Sequence, residues 1–547
     1  MWFKNPWVLI FAVDAVRGAS YSSNTSVQLT VQTLTGSFTG FIEPEFPNTR
    51  QFRAIPFAEP PTGPRRWLPP QKLSTLPTDH RWSTKFPPSC PQYFPAKPDF
   101  WNSELTRGNL VYNGGQNDSS GLAGEATSED CLHLAIWAPS HIPNEGLPVF
   151  FFMTGGGFSL GGVELPWQIP SSWVERSKSH IVVSINYRLN IFGFPSAQGL
   201  KDGEQNLGIL DQRAALEWVR DNIAAFGGNP ERIMHWGRSA GGIAADIHAY
   251  AYHDDPIAES YYFESGTIFS SDAAEGDRFA IFSSVAGNVG CGQPCGASCK
   301  DEDEQAAAEL DCMRQVSQIQ ITNFVGQHNE AVTTDRQLRF GPLPDNKTVW
   351  STSGYRRLSE EGKIARRPTL ISFTSNEGSS LLPLPEDAAS AGINQTMVDG
   401  FNIGFAACAA LNSTAYRNRV NPDVPVFRFQ YAAEFPNLNV YDWLGAYHNS
   451  ETPLIFGAYD LMKHIANTTD YQIEISHSMQ DHILAFARDP YQGPQQAFDW
   501  HPTKINDTSL GTLIRFGGSN GDVVKRVDNA DVDGACLDAT KQNSFPS

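Results

Sequence analysis

The pentapeptide Gly237-Arg238-Ser239-Ala240-Gly241 constrains this chain more than any other segment. It fits the G-x-S-x-G pattern of a sharp strand-to-helix turn, which lifts a serine hydroxyl above a parallel sheet. Residues 232–236 before it are typical of a short buried strand, and residues 242–246 after it are compatible with a helix. The context that the motif requires is therefore present, and Ser239 is a candidate nucleophile.

Apolar runs elsewhere predict a doubly wound α/β sheet. Continuous apolar runs are typical of parallel strands buried on both faces, and strands that alternate with helices indicate an α/β architecture. Gly227-Gly228-Asn229-Pro230 is expected to form a stop and a turn. The predicted elements are strands at residues 147–153, 181–187, 369–374 and 424–431 and a helix that includes residues 212–220.

The N-terminus predicts secretion. Lys4 precedes a short apolar core at residues 7–13, and small residues follow, as in a signal peptide that ends near residue 18. The rest of the chain contains neither a linker nor a repeat, so we expect one domain over residues 19–547 with long loop insertions. Seven N-x-S/T sequons suit a secreted glycoprotein: Asn24, Asn117, Asn346, Asn394, Asn412, Asn467 and Asn506.

The formal charge of −19 disfavours nucleic acid and anionic membrane surfaces as partners, because both call for basic patches. No apolar run approaches the ~20 residues that span a bilayer, so no transmembrane segment is predicted. The acidic run Asp301–Glu304 is expected to be a solvated loop. Oligomeric state is not predicted by any of these features.

Eight cysteines in a chain predicted to be secreted favour disulfides, although their number alone allows ~105 pairings. The run Cys291-x3-Cys295-x3-Cys299 lacks the usual zinc spacing and has no histidine nearby. We therefore expect no metal site there.

A serine hydroxyl needs a base, and the base needs an orienting acid. On a sheet of this kind the expected chain order is serine, acid, histidine. Glu377 follows the strand at residues 369–374, and His448 lies in a loop after the strand at residues 424–431. These two residues are the candidate acid and base. His235, by contrast, lies within a strand and is expected to point into packing.

An oxyanion site is predicted beside the serine. The glycine run 155–157 directly follows the strand that ends at Met153, and glycines let backbone N–H groups turn toward a ligand. The N–H of Ala240, immediately after the nucleophile, is the further expected donor.

With these motifs in one order, the chain resembles the type-B carboxylesterase/lipase family, which includes the cholinesterase-like esterases. The resemblance implies an α/β-hydrolase fold with a mostly parallel central sheet flanked by helices. The motifs that carry it, besides the serine turn and the His448 segment, are FRAIPFA (residues 52–58), SEDCL (128–132), GGGF (155–158), NYR (186–188), NLGILDQ (206–212), FGGNP (226–230) and NEG (376–378).

The family pattern also implies roles for individual residues. Ser239 would be the nucleophile, Glu377 the acid and His448 the base. The oxyanion donors implied are Gly156, Gly157 and Ala240. The implied disulfides are Cys90–Cys131 and Cys291–Cys312, which leaves Cys295–Cys299 and Cys408–Cys536 as the remaining pairs.

Two residues depart from the family pattern. Thr154 stands where histidine is common, and Arg238 stands where glutamate is usual. A free Arg238 would oppose protonation of His448 and lower its pKa, or attract an anionic substrate group; an Arg238 paired with a nearby acid would do neither. In each case arginine argues against choline esters. Arg238 and Phe158 are candidates for lining the substrate pocket.

The sequence therefore predicts a secreted serine hydrolase that cleaves small-molecule or lipid esters through an acyl-enzyme, with no cofactor. A lipase acting on long-chain acylglycerols is one alternative, and a catalytically silent cholinesterase-like binding module is another. The segment between Cys90 and Cys131 is expected at the pocket rim, either as a lid or as a fixed wall. Its aromatic residues are Tyr93, Phe94, Phe100 and Trp101.

Overall fold

The computed structural model describes most of the chain. The predicted signal peptide, the sequons at Asn24 and Asn117, and the rim residues Phe94, Phe100 and Trp101 lie outside the described residues. The described ranges are 27–73, 79–93, 127–200, 204–270, 279–383, 392–506, 509–518 and 520–537.

Fourteen strands lie in the described residues and form two sheets, of three and eleven strands. They are β1 Thr30–Thr33, β2 Gly36–Thr39, β3 Phe41–Ile42, β4 Thr49–Pro56, β5 His80–Trp82, β6 His133–Pro139, β7 Leu147–Met153, β8 Ile181–Ile185, β9 Gly228–Arg238, β10 Ser260–Glu264, β11 Thr369–Thr374, β12 Val426–Tyr431, β13 Thr512–Phe516 and β14 Val524–Asp528.

Helices connect most of these strands. The α-helices of the described residues are α1 Ser171–Ser177, α2 Asn190–Gly193, α3 Leu207–Asn222, α4 Ala240–Ala251, α5 Ala280–Asn288, α6 Glu302–Gln315, α7 Gln318–Ala331, α8 Thr352–Glu360, α9 Gly378–Leu381, α10 Gln395–Phe401, α11 Ala409–Val420, α12 Thr452–Phe456, α13 Asp470–Arg488, α14 Gly493–Phe498 and α15 Ala530–Asp533. A π-helix spans Asn402–Cys408. Short 3-10 turns lie at Gly63–Arg65, Pro166–Gln168, Ile223–Phe226, Gly296–Ser298, Thr334–Arg336, Tyr459–Met462 and Gly534–Leu537.

The large sheet has the order β14-β13-β12-β11-β10-β9-β7-β8-β6-β4-β3. Its centre, from β8 across to β13, is parallel, and the pairs at both edges are antiparallel. The predicted mostly parallel α/β-hydrolase sheet is confirmed. Because the carboxyl ends of parallel strands lie on the same side of the sheet, the loops after β7, β9, β10, β11 and β12 meet there.

Each central strand is buried on both faces, as its apolar sequence indicates. Phe151 of β7 packs into the core on one face of the sheet, while Phe150 and Phe152 pack into the core on the other. This alternation follows from the period of two in a strand. His235 of β9 is fully buried and packs against Phe151, which confirms the prediction that it points into packing.

Two local predictions from sequence are wrong. Gly228-Asn229-Pro230 is already part of β9, and the turn is confined to Gly227, whose φ is 98°. The acidic run at residues 301–304 begins α6 instead of forming a loop. Asp301 caps the helix by accepting the Glu304 N–H at 2.9 Å, and carboxylates in the first turn favour the positive end of the helix dipole.

Four disulfides link the described residues: the two that the family pattern implies and the two pairs that it leaves over. Cys90–Cys131 joins the two ends of the predicted rim segment, and Cys408–Cys536 ties the π-helix to the 3-10 turn at Gly534–Leu537. The others are Cys291–Cys312 and Cys295–Cys299. No helix among the described residues is long and apolar enough to cross a membrane.

A buried ion pair fixes the loop after β8 to helix α3. The Arg188 guanidinium donates to both carboxylate oxygens of Asp211 at 2.7 Å, and the Arg188 backbone N–H donates to the same carboxylate. Both side chains are almost completely buried. Removing one partner would leave an uncompensated charge in the core.

We expect Asp211→Ala to lower the free energy of unfolding by about 3–5 kcal/mol, because Arg188 then keeps a buried charge without a partner. Chemical denaturation measures this loss. Asp423→Ala is the matched control, since Asp423 pairs with Arg366 where both side chains are about two-thirds exposed. Its loss is expected to stay within about 1 kcal/mol. Equal losses in the two variants would contradict this assignment.

Glu164 is a buried acid that forms no ion pair within the described part of the chain. Ser89 donates to its Oε1, and its Oε2 has no hydrogen-bond partner among the same residues. Burial raises the pKa of Glu164 from 4.5 to about 7, against the effect of the Ser89 hydrogen bond. A raised folded-state pKa stabilises the fold fully below pH 4.5, and this stability is lost as pH rises toward 7.

We therefore expect Glu164→Gln to gain stability relative to the wild type as pH rises from about 4.5 to about 8, by up to about 3 kcal/mol. Unfolding free energies of both proteins across this range measure the gain. A stability difference that stays constant with pH would show that Glu164 ionises normally in the folded protein.

Candidate active site

Ser239 lies in a sharp turn between β9, which ends at Arg238, and α4, which begins at Ala240. Its φ of 56° and ψ of −123° are rare for a residue with a side chain. The Ser239 N–H donates to the carbonyl oxygen of Glu264 on the neighbouring strand at 2.7 Å, which holds the turn in place. Ser239 is half-buried, whereas its neighbours on both sides are buried.

Glycine is required on both sides of this serine because the backbones approach too closely for a side chain. A Cβ on Gly237 would lie 2.0 Å from the carbonyl oxygen of Gly241. A Cβ on Gly241 would lie 2.2 Å from the carbonyl oxygen of Met153, at the end of β7. The motif glycines thus let helix α4 start directly against the neighbouring strand.

Glu377 and His448 form a buried hydrogen-bonded pair. Glu377 follows β11, and its Oε2 accepts from Nδ1 of His448. Its Oε1 accepts the Thr374 N–H at 2.7 Å and the Ser265 hydroxyl at 2.8 Å. Three donors converge on this carboxylate, which suits its ionised form. Because Nδ1 of His448 is engaged, Nε2 is the ring nitrogen that can take a proton.

Asn376 joins the loop that carries Glu377 to the loop that carries His448. Its N–H donates to the carbonyl oxygen of Ala446 at 2.9 Å, and its side-chain amide donates to that of Leu444 at 2.7 Å. Two hydrogen bonds also connect the serine to the acid. The Ser239 N–H donates to the carbonyl oxygen of Glu264, and the hydroxyl of the next residue, Ser265, donates to Glu377. This chain of hydrogen bonds connects Ser239 to the Glu377–His448 pair.

The glycine loop after β7 lies directly against the serine turn. A Cβ on Gly155 would lie 2.8 Å from the Ser239 Cβ and 2.7 Å from the Arg238 carbonyl oxygen. Gly156 and Gly157 follow with φ of 116° and 60°, values that favour glycine. Ala240, the first residue of α4, is buried, and the next residue, Gly241, lies against the end of β7.

Phe158 is buried, and its ring packs edge-on against Phe194 at 5.2 Å. A cavity of about 370 Å³ begins at the next two residues of the loop, Ser159 and Leu160. Leu338 and Phe340 give the cavity apolar walls. Polar groups also line it, among them Glu330, which accepts a hydrogen bond from the Tyr93 hydroxyl at 2.8 Å.

Arg238 points away from solvent, with only 6% of its surface exposed. Its guanidinium lies behind the glycine loop, because Cζ is 3.1 Å from the position of a Cβ on Gly155. Burial lowers the pKa of Arg238, and the charges of Glu264 and Glu451 oppose this shift.

The two acids that face Arg238 have raised pKa values. Burial raises the pKa of Glu264 to about 7, while the charge of Arg238 and hydrogen bonds from Trp236 and Thr452 work against the rise. Burial and the nearby charges of Glu264 and Glu377 raise the pKa of Glu451 well above 4.5.

Sequence reasoning did not identify Glu264, Ser265 or Glu451 as part of the site. Glu264 ends β10 and Ser265 follows it, on the same side of the sheet as Ser239, and Glu451 follows His448 by three residues. For Glu264 and Ser265, the position at the carboxyl end of a strand is the signal that would have identified them, whereas Glu451 has no such signal.

The described fold is that of an α/β-hydrolase, and comparison with known proteins agrees. Residues 27–397 match the carboxylesterase family, a range that includes Ser239 and Glu377. The chain is 34% identical to secreted lipase 5 of Gibberella zeae over 94% of both proteins. It is 34% identical to chlorogenic acid esterase of Aspergillus niger, over 85% of this chain and 84% of that protein.

A more distant relative is the cholinesterase of Mus musculus, which is 29% identical over 75% of this chain and 63% of that protein. The chain belongs to the carboxylesterase family. It is a carboxylic ester hydrolase, as the sequence predicts.

We expect Gly241→Ala to lower kcat/KM at least about 100-fold, because the added Cβ has to push α4 away from Met153 and misplace Ser239. Steady-state kinetics on a soluble ester measure the loss. The matched control is Gly287→Ala in α5, where a Cβ would meet no atom within 4 Å. Activity in the control is expected to equal that of the wild type. Wild-type activity in Gly241→Ala would contradict the close approach.

Proposed function

We propose that this protein is a secreted serine esterase in which Ser239 attacks the ester carbonyl, His448 is the general base and Glu377 orients the imidazole. The observation that carries the proposal is the buried His448–Glu377 hydrogen bond, which Ser265 and Glu264 connect to a serine held at a φ of 56°. This arrangement joins a nucleophile, a base and an orienting acid, as nucleophilic catalysis requires.

In the first half of the reaction, Nε2 of His448 takes the Ser239 proton as Oγ attacks the carbonyl carbon. The proton then passes to the leaving alcohol, and an acyl-Ser239 ester remains. In the second half, His448 removes a proton from water as the water attacks the acyl carbon. The bond to Oγ then breaks, His448 returns the proton to Oγ of Ser239, and the acid is released. Glu377 stabilises the imidazolium that forms in each half and keeps Nδ1 protonated.

The N–H groups of Gly156, Gly157 and Ala240 are proposed to bind the oxyanion of each tetrahedral intermediate. Support comes from the glycine loop, which lies within van der Waals contact of Ser239, and from the position of Ala240 at the N-terminus of α4. Loss of one such donor typically costs about 100- to 1000-fold in kcat.

The cavity beside the glycine loop is proposed to receive one arm of the ester. Its volume of about 370 Å³ is at the lower end of the usual range for small-molecule sites. Apolar Leu338 and Phe340 alternate there with polar Glu330 and the Tyr93 hydroxyl. A short or hydroxylated acyl or alcohol group fits this lining better than a long alkyl chain.

Secretion and glycosylation are also proposed. Two relatives of this chain are named secreted lipases, and four disulfides lie in the described residues. The five sequon asparagines in the described residues are all exposed, as glycosylation requires: Asn346, Asn394, Asn412, Asn467 and Asn506.

A lipase is the second candidate, and the specific observation in its favour is the 34% identity to a protein named secreted lipase 5 over nearly the whole chain. A lipase would prefer long acyl chains and gain activity at a lipid–water interface. An esterase would prefer dissolved short-chain esters.

The test is hydrolysis of p-nitrophenyl acetate, butyrate and palmitate by the purified protein and by Ser239→Ala. We expect serine-dependent turnover that is highest on the two short chains, and a loss of at least about 10⁴-fold in the variant. Gly287→Ala serves as the matched control with normal turnover.

A preference for the palmitate ester, together with a rise in rate above the solubility limit of a triacylglycerol, would show that the protein is a lipase and contradict the proposed esterase function. Turnover that is unchanged in Ser239→Ala would contradict the proposed nucleophile. A folded wild-type protein without turnover of any of these esters would contradict the proposed broad esterase function.

A further inference from the structure

Behind the triad acid lies a buried polar cluster that the proposed mechanism does not use. Its members are Arg238, Glu264, Ser265 and Glu451, and all four are at least 94% buried. Isolated charges are costly in such surroundings, so the protonation state of each member has to suit the others.

The hydrogen bonds of Ser265 assign the protonation states of Glu377 and Glu451. Its Oγ lies 2.8 Å from Oε1 of Glu377 and 3.1 Å from Oε1 of Glu451, but a hydroxyl has a single proton to donate. If Glu377 and Glu451 were both ionised, Ser265 could donate its proton to one of them, and its contact with the other would bring two hydrogen-bond acceptors together without a proton between them. Glu377 also accepts the Thr374 N–H and faces Nδ1 of His448, so Glu377 is the anion.

Glu451 must therefore be the acid that holds a proton. A neutral Glu451 donates to Ser265 Oγ, and Ser265 donates in turn to Glu377. The raised pKa of Glu451 is consistent with this geometry. The ionisable groups whose charges act on Glu451, or on which its charge acts, are Glu264, Glu377, Arg238, Tyr262, Tyr431 and Tyr447.

Arg238 and Glu264 are register partners on the parallel strands β9 and β10, so their side chains leave the same face of the sheet. Glu264 accepts from the Trp236 indole N–H at 2.7 Å and from the Thr452 hydroxyl at 3.2 Å, as an ionised carboxylate would. Arg238 has no hydrogen bond at Nε within the described residues, and a guanidinium cannot lose its charge.

We propose that Arg238 and Glu264 are a coupled pair of opposite charges, which leaves Glu451 neutral to support Glu377 through Ser265. The proposal deepens the proposed function, on which it rests. Arg238 is thus a positioning residue: it acts on Glu377 through Glu264, Glu451 and Ser265, and it does not need to touch the substrate.

Removal of Arg238 and removal of Glu264 are expected to have different effects on the charge of the cluster. Without Arg238, Glu264 can take a proton and become neutral. Without Glu264, Arg238 keeps its charge, and Glu451 is the acid whose charge acts most strongly on Arg238 after that of Glu264. Glu451 then ionises and no longer donates to Ser265, so Glu377 and His448 lose their support.

The first test compares Glu264→Gln, Arg238→Met and the double variant on p-nitrophenyl butyrate. We expect Glu264→Gln to lower kcat at least about 10-fold with little change in KM. The double variant is expected to recover to within about threefold of the wild type, because no unpaired charge is left. Losses that add in the double variant would overturn the coupling.

Melting temperatures of the same proteins provide a readout that does not depend on activity. If Glu264→Gln fails to fold, a folded double variant supports the pair, since removing the orphaned cation restores the core. A double variant that fails to fold, beside a folded Glu264→Gln, would overturn it.

The second test concerns Glu451. Glutamine is neutral and can donate to Ser265 as the neutral acid does, so Glu451→Gln is expected to keep kcat within about threefold. Glu451→Ala removes the donor and is expected to lower kcat at least about 10-fold further. Equal losses in the two variants would show that the charge of Glu451 is required, and would overturn its neutral state.

Failure of this inference is distinguishable from failure of the proposed function. If the proposed function is wrong, the wild type shows no Ser239-dependent turnover. If only this inference is wrong, that turnover is normal and the losses at Arg238 and Glu264 are additive.

Discussion

The close approach of three backbone segments around Ser239 is the constraint on which the rest of this structure depends. The end of β7, the turn after β9 and the start of α4 meet with carbonyl oxygens 2.0–2.7 Å from positions where a Cβ on Gly155, Gly237 or Gly241 would stand. Only glycine allows such contacts, and they bring the glycine loop and the N-terminus of α4 to the serine together. The same close backbone contacts therefore position both the nucleophile and its proposed oxyanion donors.

The parallel sheet supplies the other half of the site. Because β9, β10, β11 and β12 run in the same direction, the residues that follow them reach one edge. Glu264 and Ser265, then Glu377, then the loop of His448 line up across neighbouring strands in that order. The cost of burying so many polar groups is limited because each acid has donors or an opposing charge, and Glu451 is assigned as neutral.

Much of this arrangement is readable from sequence because it depends on local chemistry. Ser239 is identified by its glycines, and β7 and β11 are found at their true bounds, since their apolar runs are continuous. Glu377 and His448 are recognised through the family pattern, because neither a carboxylate nor a histidine is distinctive alone. The helix at Asp301 is missed because its acidic first turn, which favours the helix dipole, resembles a solvated loop.

The state of Arg238 was not predictable in this way. Its partner Glu264 lies 26 residues further along the chain, and only the register of β9 on β10 brings the two together. Glu451 is likewise one of 59 acidic residues until the fold sets it beside Ser265. Long-range contacts of this kind have no periodic signal in the sequence, so they became visible only in the folded structure.

The central claim is that Ser239 carries the acyl group during ester hydrolysis, and mass spectrometry tests it most directly. The protein would be treated with a p-nitrophenyl phosphonate, which transfers its phosphonyl group to an activated serine, and then digested and mapped. We expect one adduct, on the peptide that contains Ser239, in proportion to the activity lost. A fully inactivated protein with its adduct elsewhere, or full activity after Ser239 is modified, would contradict the account.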